Sequence, residues 1–171
     1  MRILLALATI AVAQMACAQT TPFTVSVSAA KSQIVAGDPV DLVVIMTNTS
    51  DHDVDCTYSY SNALDRNYLY AVTDQNGQPV RRIEKEHHGG SDVWPCILKP
   101  GQSTRTGGGR ISVLYDFSRP GKYSIQVSRA VWGAESRPGT IGKGGNHPRL
   151  IKSKPIVVTV ERNSASARAP E

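Results

Sequence analysis

The stretch Arg119-Pro120-Gly121-Lys122-Tyr123-Ser124-Ile125-Gln126-Val127-Ser128 decides how this chain is read. Pro-Gly turns the backbone, and Tyr123, Ile125 and Val127 then alternate with Ser124, Gln126 and Ser128. A helix buries residues three or four apart, whereas this period of two describes a strand with one apolar face. An apolar face needs a partner layer, so the segment predicts a sheet covered on one side.

The same grammar extends outward from it. Phe23, Val25 and Val27 alternate with Thr24, Ser26 and Ser28, and Ile34 and Val35 extend this first strand past a kink. Ala36-Gly37-Asp38-Pro39 turns into residues 40–47, a nearly continuous apolar run expected of a strand covered on both sides. Asn48-Thr49-Ser50-Asp51 turns into a strand over 54–59. Residues 68–73 lead to Asp74-Gln75-Asn76-Gly77, an Asn-Gly hairpin returning over 80–83. Residues 93–98 form a short strand that Pro95 confines to an edge or a bulge. After Lys99-Pro100-Gly101, residues 110–116 alternate Ile111, Val113 and Tyr115, and residues 155–160 close the core. The small, polar residues 163–171 read as a disordered tail. The expectation is an all-β domain, a two-sheet sandwich of seven to nine strands over residues 19–162.

Residues 1–18 place Arg2 ahead of an apolar run that ends in Ala16-Cys17-Ala18, the layout of an export leader cleaved before Gln19. Lipidation of Cys17 is the alternative processing, and Gln14 interrupts the run too early for a spanning helix. A periplasmic or secreted destination follows, with no transmembrane segment in the mature chain. Its 171 − 18 = 153 residues suffice for one domain. They keep two cysteines, Cys56 and Cys96, for which an oxidising compartment favours a disulfide over two free thiols.

The run Leu98-Lys99-Pro100-Gly101, followed by Leu114-Tyr115-Asp116-Phe117-Ser118-Arg119-Pro120-Gly121-Lys122-Tyr123, resembles the C-terminal half of exported bacterial immunoglobulin-like domains of unknown function. The resemblance spans about residues 40–160 and implies an immunoglobulin-like sandwich. By the same resemblance, Tyr123 should be buried with its hydroxyl on the backbone of the preceding turn. More remotely, Asn48-Thr49-Ser50 and Asp74-Gln75-Asn76-Gly77-Gln78-Pro79-Val80 are similar to the intracellular proteinase inhibitor family related to BsuPI, which implies inhibition of a protease.

Chemistry-bearing patterns are few. His87-His88, beside Gly89-Gly90 and near Glu84, Glu86 and Asp92, could ligate a metal, but no recurrent ligand spacing is present, and a solvated loop is the simpler reading. Asp51, Asp53 and Asp55 begin like a calcium loop, yet the positions that need Gly and a bidentate acid hold Cys56 and Asn62. There is no Gly-x-Ser-x-Gly, and Gly107-Gly108-Gly109 lacks the Lys-Ser/Thr of a phosphate loop and reads as a flexible hairpin connection. No catalytic residue and no cofactor is expected.

Residues 130–153 read instead as one long loop without apolar periodicity, with five glycines and two prolines. Arg137, Lys143, Arg149 and Lys152 against Glu135 give it +3, most of the +4 left when Arg2 is removed from the total of +5, and Trp132 stands at its base. A basic loop with an aromatic root suits an unknown protein or an anionic envelope component. Export and the lack of any recognised binding motif argue against nucleic acid.

Overall fold

The computed structural model describes residues 21–61, 64–65, 67–83, 92–131 and 149–163. The leader, the tail from 164, His87, His88, Trp132, Arg137 and Lys143 lie outside the described residues. Thirteen strands are described: β1 (Phe23–Ala29), β2 (Gln33–Val35), β3 (Asp41–Asn48), β4 (Val54–Asp55), β5 (Tyr58–Ser61), β6 (Leu64–Asp65), β7 (Tyr68–Thr73), β8 (Asp92–Trp94), β9 (Ile97–Leu98), β10 (Ser103–Arg110), β11 (Gly121–Val131), β12 (Arg149–Lys152) and β13 (Ile156–Glu161). One 3-10 turn spans Ile111–Val113.

Two sheets face each other. The first has the antiparallel order β1-β3-β10. In the second, β11 is central: β7 pairs along one edge, and β13 and then β12 pair along the other. β2 adds to β13 in parallel. The chain therefore leaves the first sheet after β1 and joins the second at β2, so residues 34–35 change sheets rather than extend the first strand.

The inward positions are those that period two demands. Tyr123, Ile125 and Val127 of β11, Val158 and Val160 of β13, and Leu42, Val44 and Met46 of β3 are buried between the sheets. One half of the core packs around Leu42, Ile111, Phe117 and Tyr123, and the other around Phe23, Val44, Met46, Tyr68 and Val127.

Several expectations are corrected. β3 is covered on one face only, since Val43 and Ile45 point outward and Ile45 is exposed. The strand expected over 110–116 lies earlier, in β10, and residues 111–113 form the 3-10 turn. The triplet Gly107-Gly108-Gly109 is thus strand, not connection, because only a strand without side chains fits there. A Cβ at Gly107 would sit 2.7 Å from the Tyr68 ring, and one at Gly108 (φ +109°) would fall on the Leu42 carbonyl oxygen. The return over 80–83 makes single bridges, Thr73 to Pro79 and Arg82 to Tyr115, rather than a strand. Finally, Ala130 and Val131 belong to β11 and residues 149–152 form β12, with Ile151 and Ser153 buried, so the ends of the long loop are part of the sheet.

Candidate functional site

β4, β5, β8 and β9 form one antiparallel ribbon. Val54 pairs with Leu98 and Asp55 with Ile97, and the same register resumes at Tyr58 with Trp94. Cys56 and Cys96 face each other between those pairs, 4.8 Å apart at Cα and joined by a disulfide, with the Cys56 N–H on the Cys96 carbonyl (2.9 Å). Pro95, opposite Thr57 in this register, has no N–H. The Thr57 carbonyl, which this register turns away from the partner strand, accepts from Arg129 Nη2 (2.8 Å) and Asn67 Nδ2 (3.2 Å).

Arg129 is the inward residue that follows Tyr123, Ile125 and Val127 on β11, which makes it a buried cation at the rim of the core. Its guanidinium carbon lies 5.3 Å from the centre of the Tyr68 ring, and Tyr68 and Thr106 share a hydrogen bond beside it. Thr106 reaches that position because β10 shifts register between Arg105 and Gly107. The cluster ties the ribbon to both sheets at the end where β11 leads to residues 132–148. Asn48, also buried, works from the other side: its Nδ2 donates to the carbonyls of His52 (2.7 Å) and Leu98 (2.8 Å), and its Oδ1 accepts from the Ser50 N–H (2.9 Å).

Of the basic residues assigned to the loop, Arg149 and Lys152 are described, and both are exposed on β12. Lys152 and Leu69 flank Ser128 from opposite sides, and Leu150 pairs with Ala130 one step further along the outer face of the second sheet. Leu69 (55%), Leu150 (41%) and Val157 (55%) are open to solvent there. The outward positions of β7, β11, β12 and β13 hold charge only at Lys152 near one end and at Lys122 and Glu161 near the other. Ser124, Gln126, Ser128, Ala130 and Thr159 fill the middle. Uncharged side chains thus fill most of this outer face, and three of its outward positions are open apolar residues.

The opposite end is built from two turns. Asp74 Oδ1 accepts the N–H groups of Asn76 and Gln78 (both 2.9 Å), and Asp116 Oδ1 accepts that of Ser118 (2.9 Å). Tyr123 is buried and its hydroxyl donates to the Arg119 carbonyl (2.7 Å), as the resemblance implied. Desolvation raises the Tyr123 hydroxyl above its ordinary pKa, with the Asp116 charge adding to it. Hydrogen bonds from Ser118 hold the Asp116 carboxyl below its ordinary value, with smaller pulls from Arg119 and Arg81. Sequence reading missed this end, although Arg119 and Lys122 flank the Pro120-Gly121 turn and Arg81 lies in the return segment over 80–83.

Among the described residues, no group of three or more His, Cys, Asp or Glu side chains is placed to hold a metal, and no helix is long and apolar enough to cross a membrane. Comparison with known proteins returns no matching family model and no matching curated protein.

Proposed function

We propose that this chain is an exported, non-catalytic interaction domain of immunoglobulin-like topology that binds an acidic protein partner of the cell envelope. The binding surface is the outer face of the second sheet, and the basic residues of the sequence segment 132–148 add to the charge that draws an acidic partner. The observation that carries this reading is the neutral, partly apolar face on which Leu69, Leu150 and Val157 stand open beside Lys152. Apolar area of this kind supplies affinity, and the cations at its margin supply charge complementarity to an acidic partner.

The immunoglobulin-like reading is supported by the order β1-β3-β10 facing β7-β11-β13-β2, by the change of sheet between β1 and β2, and by the Tyr123 hydrogen bond. Export is supported by the leader-like residues 1–18 and by the disulfide, a bond favoured in oxidising compartments.

The test is affinity capture from periplasmic extract, with the parent compared against a Leu69→Ser, Leu150→Ser double variant and against neutralisation of Arg137, Lys143, Arg149 and Lys152 together. The expected result is one acidic protein retained by the parent, released as salt rises, and lost with either variant. Equal retention by all three proteins, or retention of an anionic polymer alone, would overturn the reading.

A further inference from the structure

The end of the sandwich where β11 starts holds a cleft of about 410 Å³ between the turn after β7 and the turn before β11. That volume lies within the range of about 300–1,000 Å³ in which small-molecule sites fall. Arg81, Arg119 and Lys122 bring cations to it, Asp74 and Asp116 bring carboxylates, and Pro79, Val80, Pro120 and Tyr123 supply apolar surface.

We propose that this cleft binds a small organic monocarboxylate, with the oxyanion held by Arg81, Arg119 and Lys122 and the apolar body laid against the prolines and the Tyr123 ring. The cations have capacity for it. Among the described residues, the ion pairs within 4 Å are Arg110 with Asp41 and His52 with Asp51, so none of the three cleft cations is in one. Both carboxylates have one oxygen committed to their own turns, through the bonds to Asn76, Gln78 and Ser118. A guanidinium fork matches the plane of a carboxylate, and two arginines in one cleft favour such a ligand over a neutral one.

Charge selects the valence. Three cations against two carboxylates leave a surplus of one positive charge, which suits a monoanion. A phosphate dianion would meet the repulsion of Asp74 and Asp116 and would leave the apolar surface unused. The site is also built before the ligand arrives. The Asp116 N–H bonds the Arg81 carbonyl (3.3 Å) and the Ile83 N–H bonds the Leu114 carbonyl (2.8 Å), which joins the two walls. The Tyr123 hydroxyl fixes the Arg119 backbone. The backbone of both walls is therefore fixed before binding, and what a ligand has to order is the exposed Arg81, Arg119 and Lys122 side chains.

The shared chemistry, a carboxylate on an apolar body, has two sources: a free short-chain acid and the C-terminus of a peptide. Calorimetric titration of the full mature chain with acetate, hexanoate, an N-acetylated tetrapeptide ending in a free leucine carboxylate, its C-terminal amide, and inorganic phosphate separates them. Hexanoate or the free-acid peptide should bind more tightly than acetate, phosphate or the amide. The hydrogen bonds that hold the walls together use the backbone carbonyls of Arg81 and Arg119, so the Arg81→Ala, Arg119→Ala double variant keeps the turns. It should lose about tenfold or more in affinity, while Arg105→Ala, on exposed β10 surface, should not change it. Absence of carboxylate binding to the folded parent, tighter binding of phosphate than of any carboxylate, or full affinity in the double variant would each overturn the proposal. None of these outcomes bears on capture of an acidic protein by the outer sheet face, which is measured separately.

Discussion

Tyr123 joins burial to a directed hydrogen bond. Its ring meets Phe117 edge-on with 5.0 Å between centroids, and its hydroxyl closes the turn that starts β11. Tyr123→Phe keeps the ring contact and deletes the hydrogen bond, so a loss of about 1 kcal/mol is expected in chemical denaturation near neutral pH. The pH dependence follows from the raised pKa, since a neutral hydroxyl is favoured in the folded state more than in the unfolded one. That contribution is complete below the unfolded tyrosine value of about 10 and is lost as pH rises through the higher folded value. Tyr115, whose hydroxyl donates to the Tyr70 carbonyl and whose pKa burial also raises, acts in the same window. Denaturation midpoints of the parent should therefore fall above about pH 10, with a smaller fall in Tyr123→Phe. Equal midpoints for the two proteins at pH 7 would show that the bond contributes nothing.

At the scale of elements, legibility followed periodicity. β1, β7, β11 and β13 bury alternate side chains, and alternation is visible in a single sequence. β10 carries Ser103-Thr104-Arg105-Thr106-Gly107-Gly108-Gly109-Arg110, with no apolar side chain, so nothing in its pattern announced a strand. Its place comes from the close approach of Tyr68 and of the Leu42 backbone, a property of neighbours distant in sequence. β12 is too short to show a period, and only its pairing with β11 brings residues 149–152 into the sheet. A consequence can be measured by two deletions. Val131 and Arg149 are paired, so replacing residues 132–148 by Asn-Gly closes a hairpin and should leave the thermal midpoint unchanged or higher. Removing residues 130–153 discards β12 and the buried Ile151 and should unfold the domain. If the longer deletion folded as stably as the shorter, β12 would be dispensable.

For the whole molecule, the disulfide and the Arg129 cluster hold the ribbon across one end of the sandwich. The disulfide closes 40 residues of chain, worth about 4 kcal/mol at most in the loop-entropy model. Cys56 is fully buried against the second half of the core, so Cys56→Ala, Cys96→Ala should lower the unfolding free energy toward that figure while the rest of the sandwich still forms. Urea denaturation under non-reducing conditions checks it, and an unchanged midpoint would mean that the ribbon's own ladder and Arg129 suffice. What the sequence determined by itself is the all-β class, most strand positions and the cysteine pair, because period two, turn residues and residue chemistry act over a few neighbours; the tyrosine hydrogen bond was implied by the resemblance alone. Only the tertiary structure decided which sheet each strand joins, that three glycines form a strand, and that Lys152 stands among open leucines on one face while Arg81, Arg119 and Lys122 meet at one cleft. Those facts depend on contacts between segments tens of residues apart, and no local pattern encodes them.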